Sequence, residues 1–176
     1  RLAKSSDAKS LTKVHLNCAK YQKGGFFHNL GFYFTINYYK ILLSNKNSVI
    51  LIAEDQHQNL LGFHSGTLKM EEQIIDLKKK KIILIFSLIP ILLKKPSLIY
   101  DILKRYLSIS NTDLNENDFG VKTGARLEYW CWLPSNSNPV GAISLHYKWI
   151  KLVKKLGVKN VCFEADSVNE KILKFH

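Results

Sequence analysis

Leu127-Glu128-Tyr129-Trp130-Cys131-Trp132-Leu133-Pro134-Ser135-Asn136-Ser137-Asn138-Pro139-Val140-Gly141-Ala142 carries the change from strand to helix around which the rest of the chain is organised. Aromatic residues crowd its first half and suit an extended backbone. Pro134 then breaks the pattern, Ser135 to Pro139 read as a small polar loop, and Gly141-Ala142 opens a helix. Side chains alternate along a strand, so Trp130 and Trp132 share one face and Tyr129 takes the other. A helix start has unpaired N–H groups and the positive end of the macrodipole, and small residues let an anion come close. The turn is therefore a candidate phosphate site.

Downstream, Leu145, Ile150 and Val153 give the helix Ala142 to Leu156 a core-facing stripe, and Gly157 supplies its stop signal. Val161 to Ala165 reads as a further strand. Upstream, Ser6-Asp7 precede Leu11, Val14, His15 and Cys18 at helical spacing. Gly24 and Gly25 interrupt, and Leu30 to Leu43 forms a second helix rich in aromatics. Val49 to Ala53, the polar turn Asp55 to Asn59 and Leu60 to Leu68 predict a hairpin. Helices, antiparallel strands, an insertion, then strand, helix, strand and helix make an α/β or α+β fold.

The chain has 176 residues, which suits one domain with an insertion. Its 26 lysines and arginines against 14 carboxylates give a net charge of +12. Polyanionic partners have to be weighed. Only Arg1, Arg105 and Arg126 are arginines, however, and base readout leans on arginine, so nucleic acid is not expected. Cys18, Cys131 and Cys162 have neither metal-ligand spacing nor a paired count. Neither a disulfide framework nor a zinc site follows, and Cys131, between two tryptophans, reads as a packed core thiol. A reduced, cytoplasmic setting is expected, with no apolar signal segment at the polar, basic start.

Ile82 to Leu93 is the one membrane-like run, bracketed by Lys78 to Lys81 and by Lys94 and Lys95. A bilayer span takes roughly 20 apolar residues, so no transmembrane segment is expected. A buried helix or an apolar wall over a pocket is the first expectation, and surface association with a membrane the second. Ser108 to Lys122 reads as a polar loop closing this insertion.

The order and spacing of these pieces resemble the GNAT superfamily of acetyl-CoA-dependent N-acetyltransferases. Trp132-Leu133-Pro134 stands where the family has V-x-P, and Ser137 to Ala142 where it has R/Q-x-x-G-x-G/A. The strand Val161 to Ala165 and Asn169 to His176 stand where it has a strand and N-x-x-A-x-x-(F/L)-Y. His15, Leu30-Gly31, Tyr38-Tyr39, the hairpin Val49 to Glu54 and Leu61-Gly62-Phe63 look like its first two helices and its second and third strands. Residues 71–123 would then enlarge one connection between strands. Alignment on Leu145 puts Ser137 at the Arg/Gln position, with Val140 and Ala142 at the two glycines; alignment on Gly141 puts Asn138 there. The family tyrosine is replaced by His176, and the pattern stops before the usual closing strands, as in a truncated domain.

The resemblance implies a mostly antiparallel mixed sheet flanked by helices, with a helical insertion between its third and fourth strands. It implies acetyl-CoA as co-substrate and an amine of a small metabolite, such as an amino sugar, as acceptor. Main-chain amides of Asn138, Val140, Gly141, Ala142 and Ile143 would hold the diphosphate, Trp132 and Leu133 the strand-edge contacts, and Asn169 the pantetheine. Glu128 would be the base, with Glu54 a weaker candidate, and His176 would protonate the leaving thiolate. The tryptophan face could stack on a sugar or lie in the core. Lys148, Lys151, Lys154 and Lys155 would either form a solvated face or meet a phosphate. The insertion could wall the acceptor site or form a homodimer contact. A noncatalytic module binding acyl-CoA or a protein partner is the competing expectation.

Overall fold

The structure, a computed structural model, describes residues 1–21, 26–110 and 123–163. The first helix, α1 (Ala8–Ala19), forms because Leu11, Val14 and His15 recur on one buried stripe. Asp7 precedes it, but its carboxylate accepts from the Lys4 amide at 2.6 Å and pairs with Arg1 instead of capping the first turn. The second helix, α2 (Phe26–Ser44), is broken at Gly31, whose φ of 75° lies in the left-handed region that side-chain-bearing residues avoid.

The hairpin is β1 (Ser48–Glu54) and β2 (Leu60–Thr67), antiparallel. Its turn is built on Asp55, whose carboxylate accepts from the amides of His57 and Asn59 at 2.8 Å each. Three helices follow: α3 (Met70–Lys79), α4 (Lys81–Leu92) and α5 (Leu98–Ser110). Then come β3 (Ala125–Trp132), α6 (Pro139–Lys155) and β4 (Val161–Cys162). The sheet order is β1-β2-β3-β4, antiparallel except for the parallel pair β3-β4 that α6 connects. This is an α/β fold with a mostly antiparallel sheet, as expected.

The alternation of β1 sorts its side chains into two layers. Ile50 and Ile52 pack under α1 and α2 with Leu11, Tyr39 and Phe63, while Val49 packs under α6 with Trp149 and Val153. Each such fully buried side chain contributes about 1.5–3 kcal/mol. Trp149 also fixes the height of α6 over the sheet, because its Nε1–H donates to the Val49 carbonyl at 2.8 Å in the core.

The structure departs from the sequence reading in several places. Helix α6 starts at Pro139, three residues before Ala142, because proline's fixed φ suits a first helical turn and Asn138 caps it. Helix α5 continues to Ser110, past the expected loop start at Ser108. Within the described residues β4 ends at Cys162, and the rest of Val161 to Ala165 lies outside them from Glu164 onward. The apolar run is a helix, but it is not buried. In α4 only Leu88 is buried, since one neighbouring helix can cover only one stripe of a helix that is apolar all round. Part of it does wall a pocket of about 410 Å³, with Tyr33 and Asn37 of α2 opposite Ile82, Phe86 and Pro90.

Candidate functional site

Strand β3 is where the sheet changes from antiparallel to parallel. Open α/β sheets offer a crevice where the strand arrangement switches in this way. Tyr129 pairs with Ser65, yet Leu127 pairs with Gly66, so Glu128 is an extra residue in the strand, a β-bulge. Bulges re-aim side chains. Glu128 is thereby turned into the layer between the sheet and the helices. Tyr38 of α2 donates its hydroxyl to Glu128 Oε1 at 3.2 Å, and the Nε2 of Gln73 on α3 donates to the same oxygen. Gln73 is fully buried, and among the described residues its own Oε1 has no hydrogen-bond partner.

Removal from water raises the pKa of Glu128 above the ordinary carboxylate range. The Gln73 bond, nearby Arg126 and the Tyr38 bond pull the other way without cancelling it. Burial, reinforced by the Glu128 charge, pushes the Tyr38 hydroxyl well up, so it stays protonated and can only donate to the carboxylate. Next to them, His15 Nδ1 lies 2.7 Å from the Tyr39 hydroxyl, with the ring clustered against Phe27 and Tyr129. Burial lowers its pKa to about 4, which keeps the imidazole neutral at pH 7.

The end of β3 is arranged differently. The Leu133 amide donates to the Leu61 carbonyl at 2.8 Å, so the Leu61–Leu133 pair is the hydrogen-bonded kind. By alternation the main-chain groups of Trp132 turn away from β2, toward the side where β4 lies. Among the described residues, pairing with β4 covers Ala125 and Arg126, at the other end of β3. The Trp132 carbonyl accepts from Cys18 Sγ at 3.2 Å. Cys131 is a buried core thiol, as its sequence context indicates.

At the start of α6, Asn138 is the cap. Its side-chain oxygen accepts from the Gly141 amide at 2.8 Å, and its carbonyl accepts from the Ala142 amide at 3.1 Å. The Asn138 amide itself donates to the Asn136 carbonyl at 2.8 Å, and Pro139 has no N–H. The amides assigned from the sequence to a diphosphate are thus largely engaged within the turn, with Val140 outside these bonds. Gly141 is a glycine for a packing reason, since a Cβ there would lie 2.8 Å from Asn138 Nδ2 and 3.0 Å from the Trp132 ring. Trp132 folds over this turn and donates Nε1–H to the Asn136 carbonyl at 2.9 Å.

Both tryptophans do share a face, the one toward α6, where the Trp130 ring stacks on His146 with centroids 4.9 Å apart. Glu54 is not with Glu128. It lies on the edge strand β1 and bonds the Arg1 guanidinium at 2.7 and 2.9 Å, which makes it an ion-pair partner and removes it as a base candidate. Lys148, Lys151, Lys154 and Lys155 are exposed, and the last two occupy the final turn of α6, at the opposite end from Asn138. Asn169 and His176 lie outside the described residues.

Two residues of the Glu128 constellation were not assigned a site role from the sequence. Tyr38 was visible only as part of an aromatic helix. Gln73 carried a faint signal, as a polar residue one helical turn before Leu77 on the side of α3 that packs inward.

No protein-family model matches the chain, and no curated protein matches it in sequence. Solved structures do share its fold. The aminoglycoside N-acetyltransferase AAC(6')-Iy in complex with CoA superposes with a TM-score of 0.58 at 11% identity, covering 100% of this chain and 82% of that one. A ribosomal-protein-alanine N-acetyltransferase from Brucella melitensis biovar Abortus 2308 gives 0.53 at 12% identity, covering 100% and 85%. A protein described as a transcriptional regulator from Bacillus halodurans C-125 gives 0.56 at 11% identity, covering 99% and 86%. The chain therefore shares the α/β fold of these solved structures, in agreement with the fold expected from the resemblance. At these identities the likeness defines architecture, and chemistry has to be argued from the site.

Proposed function

We propose that the protein is an acetyl-CoA-dependent N-acetyltransferase acting on an amine of a small metabolite, such as an amino sugar. The observation that carries this reading is Glu128 on its bulge, desolvated, raised in pKa and gripped on one oxygen by Tyr38 and Gln73. A carboxylate tuned upward is a better base near neutral pH than an ordinary one. Acetyl-CoA supplies the activated thioester carbonyl. Glu128 accepts the proton that the acceptor nitrogen loses as its new bond to that carbonyl carbon forms and the carbon–sulfur bond breaks.

The strand-edge groups of Trp132 and Leu133 suit an extended amide chain alongside β3. The turn suits a diphosphate only if the Asn138 side chain swings aside, releasing the Gly141 amide to join Val140, with Ala142 and Ile143 behind them in the first turn of α6. Asn169 and His176 keep the roles implied by the resemblance, on the pantetheine and on the leaving thiolate. That AAC(6')-Iy binds CoA and a bisubstrate analogue of an aminoglycoside supports the choice of co-substrate and acceptor class.

The capped turn favours a second reading, a noncatalytic module of this fold that binds acyl-CoA or a protein partner. Release of free thiol from acetyl-CoA over a panel of amines, amino sugars included, separates the two. The enzyme reading expects amine-dependent release; thermal stabilisation by acetyl-CoA without release with any amine selects the module.

A further inference from the structure

The transferase reading makes no use of α4. On this 12-residue helix Ile82, Ile85 and Phe86 are 61%, 58% and 66% exposed, and Leu93, just past its end, is 82% exposed. Ile83 and Ile89 are exposed as well. So contiguous an apolar surface on a folded protein marks an interaction site. Its flanks are uniform in sign: Lys78, Lys79 and Lys81 are exposed on one side, Lys94 and Lys95 on the other. The acidic side chains of the neighbouring helices are directed elsewhere. Asp76 accepts from Asn45, Glu72 from Lys69 and Asn47, and the exposed Glu71 from the Gly124 amide, and among the described residues of this region Asp101 of α5 is exposed as well.

We propose that α4 docks the protein onto an anionic bilayer surface, with its apolar side seated at the acyl boundary and the flanking lysines on lipid head groups. At 1.5 Å per residue the helix is about 18 Å long, which suits lying in the interface and not crossing it. Among the described residues no helix is long and apolar enough to span a membrane. The cleft of about 410 Å³ between α2 and α4, lined by Tyr33, Ile82 and Phe86, opens on the same helix and offers room for part of an acyl chain. Charge selects the bilayer over a second copy of the chain. Antiparallel pairing of two α4 helices would bring Lys78 to Lys81 of one against Lys94 and Lys95 of the other, like charges around an apolar centre.

Flotation with vesicles of phosphatidylcholine plus phosphatidylserine, against vesicles of phosphatidylcholine alone, tests this. The protein should float with the anionic vesicles, and less so as salt is raised. Phe86→Asp should weaken binding at least about tenfold, and Lys94→Gln or Lys95→Gln by about fivefold each. All three sites are exposed, so circular dichroism and the melting temperature should stay as in the unaltered protein. Absence of flotation at low salt overturns the proposal, as does binding that Phe86→Asp leaves intact. So does light scattering that shows a dimer split by Phe86→Asp while vesicles bind nothing.

Discussion

Glu128 and Asn138 both stand on the segment that joins the sheet to α6, and both were given chemical roles from the sequence, yet the fold treats them in opposite ways. At Glu128 a bulge and two helices gather polar groups from distant parts of the chain around one carboxylate whose charge is costly there. At Asn138 most of the donors that a ligand would need are satisfied by neighbours two to four residues away. The lesson is physical. Backbone donors at a helix start are easily satisfied by local capping, whereas a half-buried carboxylate in a strand interior is satisfied through tertiary structure. The second arrangement is therefore the stronger pointer to function.

The largest expected effect lies on the Glu128 side. Glu128→Gln should lower kcat/KM by roughly 10²–10⁴-fold while leaving the acetyl-CoA dissociation constant within about twofold. Steady-state thiol release and calorimetric titration read the two quantities; equal losses in both would make Glu128 a binding group and dissolve the contrast.

Next comes His15, in the same buried layer. Its folded pKa of about 4 lies below the ordinary 6.5, so the unfolded chain takes up a proton first as pH falls. Stability should drop progressively between those values, by ~3 kcal/mol in total. Denaturant titrations at pH 7 and at pH 4 measure it, and His15→Asn should flatten the profile.

A smaller effect sharpens the comparison from the other side. Asn138→Ala should cost ~1 kcal/mol of stability through the lost cap, and Asn138→Gly only a few tenths. Because both free the Gly141 amide, acetyl-CoA binding should tighten, most clearly in the glycine variant. Weaker binding in Asn138→Gly would make the asparagine itself a ligand.

The smallest effect is on stability at Glu128. Its raised pKa means that its ionised form destabilises the fold, a cost that grows as pH rises from the ordinary carboxylate range through the folded pKa. Glu128→Gln should therefore melt at a temperature equal to or above that of the parent at pH 8, with the difference shrinking toward pH 4. A lower melting temperature for the variant across that whole range would mean that the ionised carboxylate stabilises the fold.

The sequence displayed the repeating features well. The stripe Leu11, Val14, His15, the hairpin around Asp55 to Asn59 and the aromatic strand were readable because each is a local pattern that its own residues enforce. The start of α6 was misplaced because Gly141 looked like an opening, while Pro139 behind Asn138 was the stronger start signal. Glu128 was singled out, but its setting was not, since nothing in a linear chain shows that residues 38 and 73 meet residue 128. The exposure of α4 was equally hidden: an apolar run reads the same whether neighbours cover it or leave it open.

The pH dependence of kcat/KM for the parent and for Glu128→Gln tests most directly whether Glu128 takes the proton. The parent should lose activity toward acid with a midpoint above the ordinary carboxylate value of 4.5, and the variant should lack that limb. The same acid limb in both proteins would assign the proton to another group and contradict the account.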